Sequence, residues 1–271
     1  MTEPVAVRDA ATVMLVRDGD DGLEVFMLRR TLNAVFVGGF YVFPGGAVDD
    51  ADRDPGVADV CLGLSDVAAS DLLGVPSGGL AYWVAAVREC FEEAGVLLAR
   101  PPDGEIVDFH DAPTAARFEA HRGGVHRGQL RLVDLCAREG LRLDLGGIYY
   151  LSHWITPVGE PRRFDTRFFV ARAPQRQEPL HDDRETIASL WTRPAAALDA
   201  HRAGELQLIM PTIKHLEYLA AFDTTEGVLC DASAVRSPPA IQPRMRQNGE
   251  ENELFMPGEP GYEEIGPGRV G

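Results

Sequence analysis

Two β-rich runs open the chain. Ala11 to Val16 and Glu24 to Arg30 predict strands, and Arg17-Asp18-Gly19-Asp20-Asp21-Gly22 between them predicts a hairpin connection. Ala34 to Phe43 is apolar but interrupted by glycine, which fits either a loop or a bulged strand. Ser65 to Leu73 has the apolar spacing of a short helix with Ser65 as N-cap, and Gly74-Val75-Pro76-Ser77-Gly78-Gly79 breaks it. A long helix then runs from near Leu80 to Gly95, which is placed to end it as a left-handed cap. Residues 113–140 carry two helical patterns separated by Gly123-Gly124, the second being Gln129 to Glu139. Ile148 to Ile155 and Arg167 to Ala171 predict strands, and Pro194 to Ala203 and Pro211 to Phe222 predict helices. From Ser237 the Pro-, Gly- and Glu-rich composition favours an extended tail, so residues 1–235 are expected to form the domain and 236–271 the tail.

The long helix holds the one stretch that demands chemistry, Ala85 to Val96, A-A-V-R-E-C-F-E-E-A-G-V. Glu89, Glu92 and Glu93 stand at i, i+3 and i+4, and at about 100° per residue they share one flank. Like charges at this spacing repel, and a cation held among them reverses the sign. Oxygen-only ligands suit magnesium or manganese rather than zinc. On its own such a cluster is more often a solvated acidic face. Upstream, however, Phe43-Pro44-Gly45-Gly46 permits a tight backbone approach that can aim a carbonyl at an ion.

Composition narrows the function classes. A net charge of −16 argues against a nucleic-acid or anionic-membrane binder. Cys61, Cys90, Cys136 and Cys230 are scattered, so neither a zinc site nor a disulfide framework is expected. The first residues carry no basic-then-apolar signal and the last do not match a peroxisomal address, which makes a cytoplasmic protein the expectation. His110, His121 and His126 match no metal spacing and read as surface imidazoles.

The glycine turn and the acidic helix together resemble the signature of the Nudix hydrolases. Gly46 fits its first glycine, and Arg88-Glu89-Cys90-Phe91-Glu92-Glu93-Ala94-Gly95-Val96 fits its second half. Asp52 stands where the family has a glutamate, and residues 53–87 replace seven residues with 35, an insertion of 28. This split box is similar to a subgroup that includes the peroxisomal coenzyme A diphosphatases. The likeness extends to F-P-G-G-x-x-D-x-x-D and to Pro161-Arg162-Arg163-Phe164-Asp165-Thr166-Arg167-Phe168-Phe169.

The resemblance implies an α/β/α sandwich with a mixed sheet and a helical insertion inside the box. It implies magnesium or manganese held by Glu89, Glu92, Glu93 and the Gly45 carbonyl, with Arg88 orienting the carboxylates and Asp52 as a supporting group. Glu185, six residues before Trp191, matches a further family acid that helps the metal site or positions water. Glu89 is the first choice of general base and Glu185 the second. Arg29, Arg30, Arg162 and Arg163 are substrate-phosphate candidates. The implied reaction is cleavage of the pyrophosphate bond of a nucleoside diphosphate linked to another moiety, with coenzyme A or acyl-coenzyme A favoured. NADH, ADP-ribose and dinucleoside polyphosphates stay open, as does a non-catalytic nucleotide-sensing module. The insertion is open to three roles (lid, specificity element or subunit contact), the last allowing for a homodimer.

Overall fold

The computed structural model describes residues 5–32, 38–182, 184–248 and 251–266. Strand β1 (Val7–Gly19) is buried almost without a break from Ala10 to Val16, as a strand covered on both faces must be. It turns at Gly22 into antiparallel β2 (Gly22–Arg30). The two pair only near the turn, from Val16↔Val25 to Gly19↔Gly22, and diverge beyond it. Into that divergence the chain lays β3 (Tyr41–Val42) against β2 and β4 (Gly45–Ala47) against β1. The F-P-G-G stretch thus crosses from one strand to its neighbour where the sheet opens.

After β4 come two 3₁₀ turns, Asp50–Arg53 and Pro55–Val60, then β5 (Cys61–Leu62) and helix α1 (Asp66–Leu73). Ser65 caps α1 by accepting the Ala68 N–H. Helix α2 (Leu80–Ala94) follows, its first turn met by Asp66, which accepts the Leu80 N–H at 3.0 Å. Trp83 fixes α2 to the sheet: its indole donates to the Ile148 carbonyl at 2.9 Å and its ring packs 4.6 Å from Phe169. Truncating so buried a ring costs about 3–5 kcal/mol.

Next come β6 (Ala99–Arg100), α3 (Ala112–His126), α4 (Leu132–Glu139) and β7 (Arg142–Asp144), which joins β5 and β6 in a small sheet. Gly123-Gly124 does not separate two helices as expected; α3 runs through both. The break comes after His126, where Gln129 and Leu130 donate back to the Gly124 carbonyl.

Strands β8 (Ile148–Ile155), β9 (Arg163–Arg172) and β10 (Thr186–Thr192) complete the main sheet, in the order β10-β2-β1-β9-β8 with β1 and β9 parallel. Helices α5 (Pro194–Arg202), α6 (Met210–Leu219) and α7 (Thr225–Ser233) cover the face opposite α1 to α4. This is the expected α/β/α sandwich with a mixed sheet and a partly helical insertion.

Residues 236–271 depart from the extended-tail expectation. Strand β11 (Ala240–Ile241) adds to the edge of β8, and β12 (Arg244–Asn248) pairs with β13 (Glu251–Phe255) as a hairpin. Arg244 lies over the Tyr262 ring at 4.0 Å, and Met245 and Ile265 are buried. A few aromatic and apolar residues anchor this stretch despite its composition, which is the signal that a composition average hides. No helix among the described residues is long and apolar enough to cross a membrane.

Candidate active site

Helix α2 changes character at Arg88: from Leu80 to Val87 every residue is buried, while Glu89 and Glu92 reach a half-open flank beside β4. Gly95, at φ 69°, closes the helix, with its N–H bonded to Phe91 and the Val96 N–H to Cys90. Arg122 from α3 donates to the Glu92, Glu93 and Leu180 carbonyls at 2.9–3.0 Å. The helix end behind the glutamates is therefore held by a buried cation at its negative pole.

Strand β4 meets this flank through its glycines. Thr12↔Gly45 and Ala11↔Gly46 are the paired residues, and Val13 and Val48 bond β1 and its neighbour on either side. The antiparallel alternation turns the Gly45 backbone away from β1. Its N–H donates to Glu93 Oε2 at 2.9 Å. A Cβ on Gly46 would lie 2.4 Å from Glu89 Oε1, so only glycine lets this carboxylate pack over the turn.

Arg88 spends all five donors inside the cluster. Nε and Nη2 grip Asp52 in a bidentate pair, both at 2.9 Å, and Nη2 also donates to the Ala47 carbonyl. Nη1 reaches Glu89 Oε1 at 2.8 Å and Glu92 Oε1 at 3.2 Å. Asp52, only 2% exposed, accepts the Asp49 N–H as well. The bidentate geometry is what a shorter aspartate at this position provides, and it leaves Arg88 no hydrogen for a substrate.

Six carboxylates, those of Asp49, Asp52, Glu89, Glu92, Glu93 and Glu185, thus surround two guanidiniums, Arg88 and Arg30. Burial pushes the Glu89 carboxyl up to about 7, with Arg88 opposing and Glu92 adding to the rise. Burial raises Glu92 too, and Glu93 rises well above the carboxylate range through burial and the nearby Glu89.

Among the described residues no three acidic, His or Cys side chains close into a cage. Magnesium asks for none, since it binds through one or two carboxylates, water and substrate phosphates. Glu89, Glu92 and Glu93 each commit one oxygen to Arg88 or Gly45. The donor set, all oxygen and with excess negative charge, fits a hard divalent cation.

The remaining candidates divide. Arg30 shares the face of Phe26 and Leu28, toward α2; its Nη2 stands 3.8 Å from Glu185 and its charge is felt by Glu93. The Glu185 carbonyl accepts the Thr31 N–H, which places this residue at the mouth of the cluster, half exposed. Arg29 is a correction: strand alternation sends it to the opposite face with Val25 and Met27, over Tyr41. Arg163 is another, being buried and donating to the carbonyls of Thr156, Pro157 and Val5 to close the β8–β9 connection. Arg162 is exposed beside it; Arg163 pairs with Val7, about 13 Å along β1 from the Gly46 row.

His126 corrects a third reading. It is mostly buried, with Nδ1 3.5 Å from Glu92 Oε2. His121 is likewise no free surface group and pairs with Glu139 at 2.8 Å. Neither His126 nor Arg122 carries a local motif; the α3 packing alone brings them in.

Residues 64–219 match the NUDT19 Nudix domain family, 156 of the 271 residues. The chain belongs to the NUDT19 Nudix domain family. It is 29% identical over 260 residues to the acyl-coenzyme A diphosphatase NUDT19 of Gallus gallus, covering 80% of this chain and 69% of that one. With the Homo sapiens protein of the same name it is 29% identical over 234 residues, covering 74% of this chain and 62% of that one. The crystal structure of a NUDIX hydrolase from Alicyclobacillus acidocaldarius superposes with a TM-score of 0.70 at 30% identity, over 87% of this chain and 99% of that one. A member of the NUDT19 Nudix domain family is a Nudix hydrolase, an enzyme class that generally uses divalent cations.

Proposed function

We propose that the chain hydrolyses the pyrophosphate bond of coenzyme A or an acyl-coenzyme A, using magnesium or manganese held along the α2 flank by Glu89, Glu92, Glu93 and the Gly45 carbonyl. The observation that carries the reading is the excess of buried carboxylates beside a glycine turn, clamped by an arginine with no donor to spare. The names of the chicken and human relatives support the substrate class. When bound, the ions supply charge neutralisation of the diphosphate and a lowered pKa for the attacking water.

Arg88 holds Glu89 and Glu92 in register, and Asp52 holds Arg88. Glu89 takes the proton of the water as its oxygen bonds to phosphorus. The bridging P–O bond then breaks and its electron pair leaves with the departing phosphate. Glu185, at the mouth beside Arg30, is the second candidate for that proton. Arg30 is the cation best placed to meet a substrate phosphate.

The test is incubation with coenzyme A, an acyl-coenzyme A, ADP-ribose and NADH, with and without magnesium, products being identified by mass. Magnesium-dependent release of 3′,5′-ADP and phosphopantetheine is expected. Failure to cleave both coenzyme A and the acyl-coenzyme A under any divalent ion overturns the assignment.

A further inference from the structure

The connection from β9 to β10 carries Glu185 and is pinned to the end of α2. Gln177 is buried and brackets Leu97. Its Oε1 accepts the Leu97 N–H at 2.8 Å, and its Nε2 donates to the Leu97 and Val107 carbonyls at 3.0 and 2.8 Å. Further on, the Leu180 N–H donates to the Ala94 carbonyl at 2.9 Å, and the Leu180 carbonyl accepts from Arg122 at 3.0 Å. The loop and the acidic flank therefore share one frame, the C-terminal turn of α2.

Beyond Leu180 one side chain shapes the backbone that carries Glu185. Asp182 Oδ1 accepts the Arg184 N–H at 3.1 Å, the Thr186 N–H at 2.9 Å and the Thr186 hydroxyl at 2.9 Å. Its Oδ2 accepts the Glu185 N–H at 3.2 Å. Aspartate is suited to such local side-chain-to-backbone bonding in turns. Thr186 is fully buried and pairs with Arg30 where β10 begins, so the sheet anchors the far side of the turn.

The Glu185 carboxylate has little else to aim it. Its side chain is 54% exposed, and its ion-pair partner among the described residues is Arg30, a loose contact at 3.8 Å. The backbone sets its place instead, with the N–H held by Asp182 and the carbonyl by the Thr31 N–H at 2.9 Å. Its charge is felt at Glu93, so a displaced Glu185 alters the metal flank as well. We infer that Asp182 is a positioning residue for the hydrolysis: it fixes the Glu185 backbone so that the carboxylate stands where it orients or deprotonates the attacking water. The inference rests on the reading of this flank as a pyrophosphohydrolase site in which Glu185 takes part, and not on which substrate is cleaved.

Asp182→Asn isolates the contact. Oδ1 accepts from Arg184 and twice from Thr186, so the amide keeps its oxygen there and turns its NH2 toward the Glu185 N–H, where donor meets donor. A double-mutant cycle then separates positioning from structure. Wild type, Asp182→Asn, Glu185→Gln and the double variant are compared on the best-cleaved pyrophosphate substrate. Asp182→Ala, which removes every one of these bonds, is the second variant in both backgrounds.

Glu185→Gln is expected to lower kcat about 100-fold, the low end for a group that handles the proton. Asp182→Asn is expected to lower kcat about 10-fold with KM within about two-fold, since about 1 Å of misplacement can cost about 100-fold. In the Glu185→Gln background, Asp182→Asn and Asp182→Ala are each expected to cost less than about two-fold more. An equal fall in both backgrounds makes Asp182 a structural residue and overturns the inference. So does a Glu185→Gln enzyme that turns over like the wild type, and either result leaves the coenzyme A assignment intact. A wild type that cleaves ADP-ribose but neither coenzyme A nor its acyl form overturns the coenzyme A reading alone, because the cycle runs equally on ADP-ribose. A chain that cleaves no pyrophosphate substrate overturns both.

Discussion

On the α6 face of the sheet His215 lies wholly buried, yet its environment is complete. Nδ1–H donates to the Pro211 carbonyl and Nε2 faces the Ser152 hydroxyl, both at 2.6 Å, while the ring stacks on Phe168. Burial lowers its pKa to about 4, so it stays neutral. On the α2 face three glutamates are held half or wholly buried with more negative charge than the two arginines can balance. Both faces bury ionisable groups; one leaves nothing for a ligand to add, the other lacks positive charge. The comparison separates a structural polar group from a site: the test is whether the neighbours already satisfy the charge state that burial imposes.

The largest expected effect breaks the acidic side alone. Glu92→Gln and Glu93→Gln keep shape and hydrogen-bonding reach but remove charge, so kcat is expected to fall by about 10³ or more, worth about 4 kcal/mol. Thermal stability should hold or rise, since a buried like charge has gone. Near-normal turnover in both variants sinks the metal flank.

Arg88→Ala attacks the same cluster from its cation. Removing one partner of a buried pair leaves Asp52 uncompensated, at an expected cost of about 3–5 kcal/mol in urea unfolding. A loss under about 1 kcal/mol would mean that the clamp is solvated. His215→Leu supplies the matching change on the other face. It leaves the Ser152 hydroxyl without its partner, an expected loss of about 1–3 kcal/mol, with kcat within about two-fold of wild type. A large fall in kcat there would blur the distinction between the faces.

How much of this was readable beforehand follows from range. The α2 flank, its αL cap and the glycine approach lie within contiguous or motif-spaced residues, so Glu89, Glu92, Glu93, Gly46 and Gly95 were legible. Arg29 and Arg30 were not separable without the β2 register, which sends one to each face. Arg163 reads as a free cation in sequence because its acceptors are backbone carbonyls, one of them Val5 at the other end of the domain. His126 and Arg122 depend on where α3 lands, and no local pattern encodes a helix–helix contact. The β12–β13 hairpin was hidden by averaging composition over a stretch that a few anchored residues hold in place.

The subtlest effect is the pH dependence of stability, where the two faces pull in opposite directions. Glu89 holds its proton to about 7 in the folded chain and to 4.5 as an ordinary glutamate. Between those values the folded state carries the extra proton, so the metal-free protein loses this contribution as pH rises through about 7. Glu92 and Glu93 shift in the same direction. His215 does the reverse: folded it titrates near 4, unfolded near 6.5, so its contribution is lost as pH falls through that window. From about pH 4.5 to 6.5 the His215 contribution offsets only part of the carboxylate fall, so stability in EDTA should decline across this window and more steeply from pH 6.5 toward 7. Magnesium separates them, because it can bind only the ionised carboxylates and leaves His215 untouched. The rise in Tm on adding magnesium is therefore expected to be small at pH 5 and to grow to a few degrees by pH 8, in wild type and His215→Leu alike. An increment that is the same at both pH values would place the ion away from the α2 carboxylates.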